Sequence, residues 1–237
     1  MDGFHYYDLF ATKGYEYLFT IVFFLLLIPV WKLLNGKVPA MSTVKSAIGT
    51  LSLNKLTIPQ GIFFNTNHTW AFLNSNGVAK AGVDDFLART LGDCSLEPAV
   101  APGANIRKGD LMARAVKNGK ALDIFAPVSG KVLNSKAHEN DYSAKELYQN
   151  GWLLEIEPTN WISETNSFFM GKETSEWMQN ELTRFKDFVA QSLQKYAPAP
   201  SMTVLQDGGE IREQVLQELP GEAWKDFQKT FLEEHPD

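Results

Sequence analysis

The order of apolar and polar positions divides this chain into four stretches. In the first, residues 17–31 carry no charged side chain, and apolar residues fall on every face of any helix drawn through them. A helix apolar all round is buried or faces lipid. Counted through Lys32, whose stem can snorkel, the run reaches Leu34, close to the ~20 residues that cross a hydrocarbon core. Pro29 lies near one end, and Tyr15, Tyr17 and Trp31 stand where interfacial aromatics are enriched. Residues 1–36 are therefore expected to form a single-pass membrane anchor, with the membrane engaged through residues 17–34. A cleaved signal peptide is the competing reading, with Val38-Pro39-Ala40 as its cleavage site and a released periplasmic protein as its product. Asp2, Asp8 and Glu16 before the run oppose it, because a signal peptide begins with a basic segment.

Residues 37–58 show neither helical nor strand period and read as a linker, with a short strand over 51–56. From residue 59 to 160 the pattern becomes short apolar runs separated by turn signals: Asn76-Gly77, Pro102-Gly103, Lys108-Gly109-Asp110, Asn118-Gly119, Ser129-Gly130 and Asn150-Gly151. Such spacing predicts a compact β barrel or sandwich. One helix interrupts it, capped by Asp84, with Phe86, Leu87 and Leu91 on its apolar face and Gly92 as its stop. The motif Ala126-Pro127-Val128-Ser129-Gly130 predicts a chain reversal in which Gly130 supplies a positive φ.

Residues 161–237 return to a helical period. Trp177, Leu182, Phe185, Phe188, Val189 and Leu193 form the stripe of a helix opened by Thr174 or Ser175. Met202-Thr203-Val204-Leu205 reads as a strand and Asp207-Gly208-Gly209 as a turn. Two shorter helices follow, the second opened at Pro220-Gly221-Glu222 with Trp224, Phe227, Phe231 and Leu232 on one side. These stripes either pack on the body of the protein or, around Trp224 and Phe227, dock a partner subunit.

Composition removes several classes of function. The 237 residues are 44% hydrophobic with a formal net charge of −6, which excludes a disordered chain and leaves no basic footprint for nucleic acid. The single Cys94 excludes a disulfide scaffold. Its place at a helix C-terminus, where the dipole disfavours a thiolate, argues against a reactive nucleophile. No catalytic motif is present, so the protein is expected not to be an enzyme, and no cluster with metal-ligand spacing surrounds His68, which reads as structural. Trp70 and Trp152 read as core anchors. Lys13 alone precedes the apolar run, whereas Lys32, Lys37 and Lys45 follow it. The bias places the C-terminal body on the cytoplasmic side of the inner or cytoplasmic membrane.

The middle stretch resembles the H-protein of the glycine cleavage system. His68-Thr69-Trp70 matches its H-x-W, Gly82-Val83-Asp84-Asp85 leads into Leu91-Gly92-Asp93 as its helix does, and Lys108-Gly109-Asp110 matches the turn before its carrier hairpin. Asp123-Ile124-Phe125-Ala126-Pro127-Val128-Ser129-Gly130 and Gly151-Trp152-Leu153 complete the series. The resemblance implies a mainly β fold, a barrel-sandwich hybrid of the lipoyl/biotinyl type, carrying here an N-terminal transmembrane helix and an α-helical C-terminal extension. It also implies a lysine at a hairpin tip, joined to lipoate as a swinging arm. Counted without gaps from Asp110 to Asp123, that position falls on Gly119, and Val116 stands where the pattern has Glu. Lys117 and Lys120 flank the position out of register, and a one-residue shift in a hairpin turns a side chain to the other face. The expectation is therefore a module without a cofactor, working through protein partners. Lipoate on Lys117 or Lys120 is the alternative.

Overall fold

The computed structural model describes residues 13–34, 51–139, 144–196 and 211–233, which belong to two compact units, Met1–Ala47 and Ile48–Asp237. The first contains α1 (Lys13–Leu34), and every side chain described on it, at residues 17–28, is exposed. Among the described residues no helix is long and apolar enough to cross a membrane. The transmembrane helix expected from the sequence is therefore not supported by the described residues.

The second unit is mainly β, in two sheets. The larger runs in the order β1 (Phe63–Phe64), β2 (Thr69–Leu73), β3 (Ala79–Val83), β10 (Trp152–Pro158), β8 (Gly130–Ser135), β5 (Asn105–Ile106). The smaller runs β7 (Lys120–Phe125), β6 (Leu111–Lys117), β4 (Ser95–Pro98), β9 (His138–Glu139), and every strand pairing is antiparallel. Alternation explains the strands' inner faces: Ala113, Ala115, Leu122 and Ile124 are buried while Arg114 and Ala121 are exposed. Trp70, on β2 of the larger sheet, is fully buried in the core.

The helix α2 (Asp85–Leu91) is bounded by the signals expected of it. An Asp84 carboxylate oxygen accepts from the Leu87 amide at 2.8 Å, and Gly92 ends the helix at φ 63°. Gly130 differs from expectation, because its φ is not positive. It is needed for close approach instead: a Cβ there would lie 2.2 Å from the Glu157 carbonyl oxygen and 2.6 Å from Ile156 Cγ2. The strand expected over 51–56 is also corrected. Residues Leu53–Lys55 form a 3-10 turn, closed by the Leu56 amide on the Leu53 carbonyl, and Leu51 donates its amide to Ile211.

Helices α3 (Ala144–Asn150), α4 (Trp161–Thr165) and α5 (Lys172–Tyr196) follow, and then α6 (Val215–Glu218) and α7 (Gly221–Phe227), which continues as a π turn over Gln228–Leu232. Trp177, Leu182, Phe185 and Val189 of the α5 stripe are buried. So are Trp224, Phe227, Phe231 and Leu232, in the same core as Trp70 and Phe86. That burial overturns the docking role considered for the aromatic face around Trp224. The residues face their own protein, where Phe227 stacks on Phe231 and meets Phe185 edge to face. The strand and turn expected over 202–209 lie outside the described residues.

Candidate functional site

The hairpin β6–β7 carries the position at which the chemistry was sought. Asn118 and Gly119 connect its strands with φ of 49° and 75°, both in the left-handed region, as a type I′ turn requires. Nothing lies within 4 Å of where a Gly119 Cβ would stand, so the turn projects into open space. The strand register sets Lys117 directly opposite Lys120.

Neither lysine is free. Lys117 Nζ pairs with an Asp93 carboxylate oxygen at 2.9 Å, just beyond the end of α2. That ammonium, with the Gln217 amide, holds the Asp93 carboxyl below its ordinary value. Lys120 Nζ donates to the carbonyls of Gln217 at 3.1 Å and Leu219 at 2.5 Å, and lies 5.5 Å from the Trp224 ring centroid. A cation at the carbonyl end of α6 is electrostatically favourable, and the indole face adds to it. The two lysines thus differ. Lys120 is locked between main-chain carbonyls and an aromatic ring, whereas Lys117 has one charged partner that is itself largely exposed.

The segment at residues 211–233 closes over this region. The edge strand β7 would leave the Asp123 backbone unpaired, but the Gln228 side chain accepts from the Asp123 amide at 2.8 Å and donates to its carbonyl at 3.1 Å. One glutamine therefore stands in for a strand partner on an open edge. Gln217 Nε2 donates to the Leu91 carbonyl at 2.5 Å, and Arg89 pairs with Glu213 at 2.6 Å. Sequence reasoning missed Gln217 and Gln228, because a glutamine in a short helical stripe reads as a solvated position.

A second cluster lies at His68, which is fully buried at φ 58° between the Phe86 and Trp177 rings. Its Nδ1 is 2.9 Å from an Asp84 carboxylate oxygen, and its Nε2 is 3.5 Å from Glu181 on α5. Burial opposes the imidazolium, but the Asp84 carboxylate, with Glu181, outweighs it and raises the His68 pKa to about 9. Burial pushes Glu181 up, yet His68 and Arg184 bring it below its ordinary value. The geometry places His68 inside the core between two carboxylates that favour its protonated form. Among the described residues no group of three or more His, Cys, Asp or Glu is arranged to hold a metal ion. Cys94 is buried. Trp152, expected in the core, is only half-buried, with Lys80 and Lys136 each over its ring.

The residues present at the hairpin give a poor fit to lipoyl attachment. The register position offers no amine, Lys120 is half-buried and bonded to two carbonyls, and Lys117 is ion-paired.

Comparison with known proteins finds one family. Residues 62–181 match the family model described as glycine cleavage H-protein. The chain is 30% identical over 104 residues to the glycine cleavage system H protein of Ralstonia nicotianae, covering 43% of this chain and 82% of that one. It is 29% identical over 127 residues to that of Stenotrophomonas maltophilia, covering 52% and 96%. Among solved structures, a glycine cleavage system H protein from Mycobacterium marinum matches at 20% identity with a TM-score of 0.42, over 51% of this chain and 98% of that one.

Proposed function

Because the chain belongs to the glycine cleavage H-protein family, we propose that it is a member that has given up the carrier role and serves as a non-lipoylated binding or assembly module, held at a membrane by residues 17–34. The observation that carries the reading is the hairpin. It keeps the type I′ turn but places Gly119 where the family resemblance puts the lysine, and both neighbouring lysines are held by other groups. A swinging arm needs an amine that a modifying enzyme can reach and that can then leave the surface; Lys120 meets neither requirement. The segment 211–233, beyond the family match, adds a buried aromatic cluster and a closed sheet edge, features of a fixed subunit rather than a shuttle. A tether acts in the same direction, since it raises effective concentration toward fixed neighbours and hinders visits to several soluble ones.

The test is modification of the full chain by a lipoate–protein ligase with lipoate and ATP. The native chain is expected to keep its mass and the Gly119→Lys variant to gain an adduct on Lys at 119. An adduct on the native chain overturns the reading, and an unmodified variant overturns the assignment of position 119. The membrane reading predicts that the protein stays with membranes through an alkaline wash and is released when residues 17–34 are deleted. Release of the intact protein by the wash alone would contradict it.

One observation favours the alternative of a working carrier. Lys117 is tied to a single, largely exposed partner, and such pairs are worth ~1 kcal/mol or less. If any lysine here carries lipoate it is Lys117, and Lys117→Arg then abolishes modification while Lys120→Arg does not.

A further inference from the structure

Away from the hairpin, a cleft of about 540 Å³ opens between the 51–62 segment, the ends of β2 and β3, and α3. Its volume falls within the ~300–1,000 Å³ typical of small-molecule sites. Pro59, Ile62, Phe72 and Tyr148 give it apolar walls, and Lys80 is the one charged residue among its lining. The Tyr148 hydroxyl is already used, accepting from the Asp85 amide at 3.0 Å, so that residue presents its ring.

Lys80 is placed there by strand register. It stands directly opposite Phe72 on β2 and Glu155 on β10, so an exposed aromatic ring and an ammonium share the rim. The ammonium lies 5.6 Å from the Trp152 ring centroid and is ion-paired with Glu155 Oε1 at 3.9 Å, a separation too long for a hydrogen bond. Among the described residues it makes no hydrogen bond, and its three donors are open to an acceptor in the cleft. Asn74 and Gln149 add neutral amides to the lining.

We propose that this cleft binds a small monocarboxylate with a flat apolar body, its carboxylate on Lys80 and its body between Phe72 and Tyr148. Glu155 already shares the ammonium at ion-pair distance, and the donors left over suit one further carboxylate. A dianion such as a phosphate monoester would bring a second charge toward Glu155 with no further cation to receive it. The aromatic walls favour a ring over a flexible chain.

The probe is 4-phenylbutanoate, titrated into the detergent-solubilised full chain while backbone amide resonances are followed. Saturable shifts are expected at Phe72, Asn74, Lys80 and Gln149. Lys80→Gln is expected to weaken binding at least about ten-fold, the scale of losing a charge-assisted hydrogen bond. The neutral analogue 4-phenylbutanamide should bind the native chain as weakly as 4-phenylbutanoate binds Lys80→Gln. Glu155→Gln should tighten 4-phenylbutanoate, a gain that general disruption of the fold cannot produce. Equal binding by native and Lys80→Gln chains, shifts centred elsewhere, or no saturation in the millimolar range would overturn the proposal.

Discussion

Two faces of the body are held by different chemistry. On one, α5 is pinned to the barrel by a buried ionic cluster, His68 between Asp84 and Glu181. On the other, the 211–233 segment is held over the carrier-type hairpin by aromatic packing and by glutamine and lysine side chains bonded to main-chain groups. The first face lies within the stretch that matches the H-protein family and the second packs onto it from beyond that stretch. An ionic cluster ties stability to pH. Side-chain bonds to backbone tie it instead to shape, and here they engage Lys120 and the β7 edge.

Trp224→Ala should have the largest effect. It empties a nearly fully buried site, removes the indole hydrogen bond to the Leu216 carbonyl at 2.7 Å and takes the ring away from Lys120. A loss of ~3–5 kcal/mol is expected in denaturant unfolding. Hydrogen exchange should quicken most over 211–233 and β7 and less over α5, which keeps its contacts to His68 but loses support where Phe185 meets Phe227 and Phe231; equal loosening of all three would contradict the comparison.

Asp84→Asn keeps an N-cap residue for α2 but withdraws the carboxylate from His68. Removing one member of a buried pair costs ~3–5 kcal/mol, and the cap itself contributes little to that loss. The same cluster sets the pH dependence. The His68 pKa is raised from 6.5 unfolded to about 9 folded, so its stabilisation is fully present below pH 6.5 and is lost as pH rises through 9. The native chain should lose about 3 kcal/mol across that window, and Asp84→Asn should flatten the fall. A native profile that rises between those values would contradict the assignment of a buried imidazolium.

Smaller effects probe the hairpin face. Gln228→Ala should cost ~1 kcal/mol and speed exchange at the Asp123 amide, which would lose its acceptor. Lys117→Ala should change stability by less than ~0.5 kcal/mol, because Asp93 is exposed. A loss comparable to that of Gln228→Ala would show that Lys117 is bound as firmly as Lys120.

Local features of the fold were legible in the sequence because their causes are local. Asp84 and Gly92 bound a helix by capping chemistry, and Asn118-Gly119 forms a type I′ turn because both residues accept a positive φ. What escaped depends on residues far apart in the chain. Gly130 is required by the Glu157 carbonyl across the sheet, not by its own φ. The His68 pKa is raised first by Asp84, which the fold brings to 2.9 Å, and then by Glu181, which arrives on α5. The stripe through Trp224 and Phe231 has the same spacing whether it meets its own core or a partner. At the candidate site, Gly119 was placed at the carrier position by counting, but the bonds that hold Lys120 were not visible, since the carbonyls it meets lie 97 and 99 residues away.

The central claim, a carrier fold without its carrier group, is tested most directly by the mass of the native protein isolated from its own cells. The account predicts the unmodified chain, with peptides spanning Lys117 and Lys120 free of any lipoyl adduct. A lipoyl group on either lysine would contradict it.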